Sequence, residues 1–361
     1  MYRNRNKVVY VINSLNPGGA EMGLELLLDN GLFYDTDLHI ICLSRSHSDL
    51  EDRIFKKNKR GVIFLNDTPV NNKKLLQYAF QLHKQILKVK PSVVITSLSQ
   101  SVLAIRIIKA FHRFQHITFE HNTQFKNRSA WHLLKLTDHL SDKFWCDSIA
   151  MQKALLARAP GVKNLIVPLF YVNDMAPVKQ DYVAREPFKL MAVGRLMAQK
   201  NYPLLIQIVR ALHERGLEIA LDIFGEGELA SKLRAETQAR GLTDVVTFRG
   251  FVRDWQSEAN HYDAYILMSD FEGLSIATLE AMSVGLPCIV KPVGELENYI
   301  SDRNNGLKVL TLEDAVNAIY ELINDAELRN FLGNNAKSYV AAHYSENSFQ
   351  ALIEQAKRTL E

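Results

Sequence analysis

Two hydrophobic periods alternate along the chain. Runs of three to six apolar, often β-branched residues are separated by longer stretches in which apolar positions recur every three to four residues. The runs predict strands at Val8–Ile12, Leu38–Leu43, Val62–Leu65, Val93–Thr96, Ile117–Phe119, Phe144–Cys146 and Leu165–Val167. The longer stretches predict helices at Glu21–Asn30, Lys73–Lys88, Val102–Phe114 and Ser129–Leu140. A run without polar alternation suits a strand covered on both faces. Strands separated by helices imply right-handed βαβ units and a parallel sheet.

The pattern breaks between Pro168 and Pro187, where a third proline, Pro177, falls and no period holds. Residues 169–187 read as a linker. A second series follows, with strands at Phe188–Val193, Ile219–Phe224, Val245–Phe248, Tyr265–Met268, Cys288–Val290 and Leu307–Val309. Its helices are Tyr202–Arg215, Leu229–Arg240, Ser275–Val284, Leu312–Asp325 and Ala326–Ala342. The expected fold is α/β: two doubly wound, Rossmann-like domains, residues 1–168 and 188–344, facing a central cleft. Ligands of such sheets bind outside the carboxyl ends of the strands.

A length of 361 residues fits two domains. The net charge of +3 conceals a split. Residues 1–176 hold 24 Lys and Arg against 14 Asp and Glu, a balance of +10, and the rest hold 19 against 26, or −7. A basic half beside an acidic half suggests an anionic partner. Cys42, Cys146 and Cys288 are odd in number, widely spaced and set in or beside strand-like runs. They are expected to be buried free thiols in a reducing compartment, neither a disulfide framework nor a zinc site. Arg3, Arg5 and Lys7 precede an apolar run too short for a signal peptide, and no stretch approaches the roughly 20 apolar residues of a membrane span. A cytoplasmic location is expected, peripheral to the inner face of the membrane if the basic half binds it. No nucleic-acid module accompanies the basic residues, so no nucleic-acid partner is expected.

Glu272 and Glu280 carry the most chemistry. They lie eight apart in Asp270-Phe271-Glu272-Gly273-Leu274-Ser275-Ile276-Ala277-Thr278-Leu279-Glu280-Ala281-Met282, the second inside an apolar helical stretch. A carboxylate in apolar surroundings is costly to desolvate unless something binds it, and an ionised carboxylate accepts the two protons of a sugar diol. The spacing resembles the paired-glutamate signature of retaining nucleotide-sugar glycosyltransferases of the GT-B type, especially the GT4 family. The Gly194-Arg195-Leu196-Met197-Ala198-Gln199-Lys200-Asn201 segment is similar to the family's Gly-Arg…Lys-Asn segment. The resemblance implies that Arg195 and Lys200 stabilise a departing diphosphate. It implies that Glu272 contacts the transferred sugar and Glu280 the ribose. Gly273 would allow close backbone approach, and Leu274 and Ser275 would offer backbone N–H groups to phosphate at a helix start. The Gly225 loop and the segment holding Val252 would line the nucleotide pocket. The resemblance also has the last helix, within 345–361, pack back on the first domain. One turn departs from the family: a Gly-Gly-x-x-Glu sequence is common where this chain has Val293-Gly294-Glu295-Leu296-Glu297, which leaves that turn's geometry open.

In the first half, Gly18 and Gly19 lie between the first strand and its helix, where the family's loop faces the donor phosphates. Phe119-Glu120-His121-Asn122 ends another strand. The family often has a histidine there near the donor sugar, so His121 is a candidate catalytic residue and Glu120 a weaker one. Asp35-Thr36-Asp37 matches the metal-binding triplet of a different transferase fold, but it sits in a polar turn, and the resemblance predicts no metal and no cofactor. Helix Lys73–Lys90 places Lys84 and Lys88 away from its apolar face, and helix Val102–Phe114 places Arg106, Lys109 and Arg113 on one face near Phe111 and Phe114. Both suit either an anionic membrane surface or a solvated face.

The expected activity is metal-independent transfer of a sugar, with retention, from a nucleotide diphosphate sugar, UDP-linked by family preference. The acceptor would be a glycan or a polyprenyl-diphosphate-linked saccharide, in assembly of a cell-surface polysaccharide, lipopolysaccharide or glycolipid. Front-face attack through an oxocarbenium-like state is implied. The competing reading is a nucleotide-sugar epimerase or hydrolase sharing the donor pocket. A periplasmic binding protein would need export.

Overall fold

The computed structural model describes residues 6–58, 60–121, 128–172, 178–183 and 186–361. Arg3, Arg5, Asn122, Pro177 and the side chain of Ser129 lie outside the described residues, as does part of the segment 169–187.

The chain divides into two compact units. The first comprises residues 1–170 and 347–361, the second residues 171–346. In the first, seven strands pair in parallel: β1 (Asn6–Ile12), β2 (Thr36–Cys42), β3 (Val62–Phe64), β4 (Val93–Ser97), β5 (Gln115–Glu120), β6 (Lys143–Cys146) and β7 (Asn164–Ile166). Their order is β3-β2-β1-β4-β5-β6-β7. In the second, β8 (Phe188–Val193), β9 (Ile219–Phe224), β10 (Val246–Gly250), β11 (Ala264–Leu267), β12 (Cys288–Val290) and β13 (Leu307–Lys308) form a parallel sheet in the order β10-β9-β8-β11-β12-β13. Each expected strand is present, with ends shifted by at most two residues.

Continuous burial along the strands explains why their runs lack polar alternation. Val8 to Ile12 are all fully buried, and Val94 and Ile95 lie beside Val9 and Tyr10. Burial of each such side chain contributes about 1.5–3 kcal/mol. Each unit has its own apolar core. One gathers Val9, Ile41, Leu82 and Ile105 of the first unit, the other Leu190, Leu221, Ile266 and Ile319 of the second. The last helix, Glu346–Arg358, packs on the first unit, where Gln350 donates to Asn30 (2.8 Å) and Asn6 donates to the Leu360 carbonyl just beyond it (3.2 Å). Cys42, Cys146 and Cys288 are free and buried.

One expected feature is corrected. The helix predicted over Val102–Phe114 runs Ser99–Lys109, and Arg106 does not share a solvated face with Lys109 and Arg113. Arg106 is buried and donates to Asp138 (3.0 Å), Ser141 and the Leu134 carbonyl. Arg158 reaches the same Asp138 (2.7 Å) and Glu120 (2.6 Å). The guanidinium lies inward because two buried carboxylates are there to be neutralised, an arrangement composed across three elements and invisible to helical period.

Three helices are not announced by the sequence pattern, Asp49–Lys57, Ile149–Arg158 and the short Leu296–Tyr299. The first two are capped by Ser48 and Ser148, which accept from the Glu51 and Met151 backbone N–H groups. The first buries only Leu50, Glu51 and Ile54, so its apolar period is faint. Among the described residues, no helix is long and apolar enough to cross a membrane.

Candidate active site

In each sheet the strand order reverses once, between β1 and β4 and between β8 and β11. At such a switch the loops leaving neighbouring strands diverge and open a crevice at their carboxyl ends. In the second unit these loops are Gly194–Asn201 and Met268–Ser275, the two segments with the strongest motifs.

The loops are joined by four hydrogen bonds. Asp270 N–H donates to the Gln199 carbonyl (2.9 Å), Gln199 Nε2 to the Phe271 carbonyl (2.8 Å) and Asn201 Nδ2 to Asp270 Oδ1 (3.1 Å). The fourth is charged: Lys200 Nζ donates to Glu272 Oε1 at 2.7 Å, with both side chains largely buried. A hydrogen bond between two charged groups is stronger than one between neutral groups. Tyr202, at the start of the helix Tyr202–Glu214, anchors the loop base by donating to the Gly194 carbonyl (2.8 Å). Arg195 projects from the same loop, exposed and without an ion-pair partner among the described residues.

A third strand end closes on this pair. A Cβ at Gly225, where φ is +137°, would stand 2.1 Å from the Gly194 carbonyl oxygen, so only glycine lets the two backbones touch. Gly225 N–H donates to Gly250 (2.7 Å), and half-buried Val252 follows on the same side of β10. The open turn at 293–297 also has a defined role. Gly294, at φ +61°, lies against the Glu272 backbone with no room for a Cβ, and Glu295 N–H donates to the Gly273 carbonyl (3.0 Å).

Gly273, Leu274 and Ser275 are buried and lead into the helix Ile276–Ser283. Ser275 takes a left-handed conformation (φ 55°) and does not cap the helix by its side chain, which pairs with the Thr278 hydroxyl at 3.0 Å. The first N–H groups of that helix carry partial positive charge. Glu280 lies further along it, half-buried. Burial raises its carboxyl to about 7, and the side chains of Gln256 and Trp255 offset part of that rise. Lys291, directly after β12, was missed in the sequence; its Nζ reaches Asp270 Oδ1 at 3.1 Å. Its place at a strand's carboxyl end, beside β11, was the available signal.

In the first unit Gly18 is extended and its carbonyl accepts from Met22 as Gly19 opens the helix Gly19–Asp29. His121 follows β5, largely buried, its Nε2 2.8 Å from the Ser97 hydroxyl and its Nδ1 3.4 Å from Asp147 Oδ2. Burial raises the Asp147 carboxyl above its ordinary range. Both ring nitrogens of His121 therefore face protein groups, neither of which the sequence reading singled out. Glu120 belongs to the buried Arg158 pair. Asp37 of the Asp-Thr-Asp triplet is held by both arms of Arg60, at 2.8 and 2.9 Å.

The family model for glycosyl transferases group 1 matches residues 178–339. Residues 178–339 thus resemble a group 1 glycosyltransferase domain. The domain contains the Lys200–Glu272 pair, Glu280 and every loop of the second crevice. Over 160 residues the chain is 31% identical to alpha-D-kanosaminyltransferase of Streptomyces kanamyceticus, covering 43% of this chain and 42% of that protein. Over 161 residues it is 27% identical to the UDP-Gal:alpha-D-GlcNAc-diphosphoundecaprenol alpha-1,3-galactosyltransferase of Escherichia coli, covering 43% and 41%. The matched stretch thus spans less than half of these curated relatives. Solved structures extend the likeness beyond the group 1 domain. HepE of Anabaena in complex with UDP-glucose aligns at TM-score 0.81 and 16% identity over 98% of this chain and 99% of that one. Sucrose-phosphate synthase from Thermosynechococcus elongatus aligns at 0.80 and 17% over 99% of each. The chain has the GT-B fold.

Proposed function

We propose that the protein is a glycosyltransferase that moves a sugar from a UDP-linked donor to a saccharide hydroxyl, with retention at the anomeric carbon and without a metal. The observation that carries this is the Lys200–Glu272 pair, 2.7 Å apart at the β8/β11 switch point of a group 1 domain. Solved structures of the same fold hold UDP or UDP-glucose. The E. coli relative is named for a UDP-galactose donor and a diphosphoundecaprenol-linked acceptor, which supports a lipid-linked saccharide as acceptor here and a place in cell-surface glycan assembly.

In this reading the donor diphosphate lies between the start of the helix Ile276–Ser283 and the cations Lys200 and Arg195. As the glycosidic bond to the β-phosphate breaks, negative charge grows on the phosphate oxygen. Lys200, Arg195 and the N–H groups of Leu274 and Ser275 oppose it with fixed positive charge and dipoles. Glu272 holds hydroxyls of the transferred sugar, and Glu280 takes the ribose diol. The departing phosphate oxygen accepts the proton of the incoming hydroxyl, so no enzyme nucleophile is required.

A panel of nucleotide sugars screened for thermal stabilisation tests the donor assignment. A ligand at 100 times its Kd stabilises by about 2.7 kcal/mol. A UDP-sugar is expected to raise the melting temperature and, with a lipid-linked saccharide, to yield an α-linked product from an α-linked donor. Donor turnover equally fast without any acceptor would move the protein to the epimerase or hydrolase reading.

A further inference from the structure

Residues 68–119 contain eight Lys and Arg and not one Asp or Glu. Two of these cations are spoken for within the fold, Arg106 by Asp138 and Lys109 by Asp142. Of the others, Lys84 and Lys88 lie exposed on a helix that also leaves large apolar side chains in solvent. On the helix Leu75–Val89, Leu76 is 74% exposed, Phe80 59% and Leu87 53%. At about 100° per residue these three fall within about 40° of one another around the helix, and Lys84 and Lys88 lie within about the next 80°. Lys84 lies over the Phe80 ring, 4.4 Å from its centre. The neighbouring helix, Ser99–Lys109, leaves Ile107 at 40% exposure, and Phe111 just past its end is 76% exposed. His83 and His112 bridge the two elements at 2.8 Å.

Scattered exposed apolar residues need no explanation, but a contiguous set does. This set is segregated: an apolar strip borders a strip of cations with no carboxylate in the whole stretch. A second copy of the chain would set like charges against each other on this face. An anionic bilayer satisfies both strips at once, taking the apolar side chains at the acyl boundary and the lysines at the headgroups.

We propose that this face of the first unit docks on an anionic lipid surface. The inference does not depend on which sugar is transferred, and it predicts binding with no donor present.

The test is co-sedimentation of the full chain with phosphatidylcholine vesicles and with vesicles containing phosphatidylglycerol. The chain is expected to partition onto the anionic vesicles at least about tenfold more strongly, and to be released at about 1 M salt, where screening acts within about 3 Å. Phe80→Ser with Phe111→Ser, and separately Lys84→Glu with Lys88→Glu, should each cut that partitioning by about tenfold or more. Both pairs should leave turnover of a water-soluble acceptor unchanged. Equal binding to the two vesicle types, or wild-type binding by both variants, overturns the proposal. Self-association lost in the Phe variant would instead assign the face to a second copy, and overturns it too. Loss of all transferase activity with vesicle binding intact would sink the proposed function and leave this inference standing.

Discussion

Lys200 and Glu272 neutralise each other across 2.7 Å, and in the proposed function the donor diphosphate competes for that lysine. Removing either partner leaves a buried, uncompensated charge and, in the proposed function, one fewer transition-state contact. Lys200→Ala and Glu272→Ala are each expected to lower kcat by about 10²-fold or more in a steady-state assay with the cognate donor and acceptor. The double variant should lose less than the product of the two, because contacting residues do not act additively. Glu280 makes a pH-dependent prediction. Its carboxyl is raised to about 7 in the folded protein from an ordinary 4.5, so the folded state favours its protonated form. Its contribution to stability is full below about pH 4.5 and is lost as pH rises through 7. The stability of wild type relative to Glu280→Gln should therefore fall between pH 5 and 8, read as the difference in melting temperature. A flat difference would mean that the carboxyl titrates in its ordinary range. Donor affinity should run the other way, rising as Glu280 ionises and accepts the ribose diol.

At the scale of elements, the site is made by loops pressed together. Gly294 shows how tightly: a Cβ there would stand 2.1 Å from the Glu272 carbonyl oxygen, on a backbone that already has φ +61°. Gly294→Ala is expected to displace the Glu272 loop and reduce kcat by about tenfold or more, while circular dichroism shows the fold retained. Strain of this kind costs roughly 1–3 kcal/mol. The strands were legible because parallel strands covered on both faces are written as unbroken apolar runs. The helix Asp49–Lys57 was not, because it buries so few side chains that its cap, Ser48 with Glu51, is a clearer signal than its period. Arg106 was misplaced for a related reason. Helical period locates a side chain around an axis, but Asp138, which draws that guanidinium inward, lies 32 residues away.

On the scale of the whole molecule, the two units have separate cores and opposite charge balance. The Arg106–Asp138–Arg158–Glu120 chain is internal to the first. Asp138→Ala would leave two buried guanidinium groups short of a partner, a loss of about 3–5 kcal/mol. Calorimetry should show that loss in a transition of the first unit, with the transition that UDP stabilises little changed. A uniform drop in a single transition would mean that the units unfold together.

The order of the strands, most of the helices, the two α/β domains and the two motif-bearing loops at the β8/β11 switch could be read from the sequence alone, because each depends on local period or on a short motif. Pairing was beyond it. That Lys200 meets Glu272, that Gly294 abuts the Glu272 backbone, that His121 is enclosed by Ser97 and Asp147 and that Arg106 turns inward all depend on strand order. Strand order brings together residues far apart in the chain, and their burial then decides which charges must find each other.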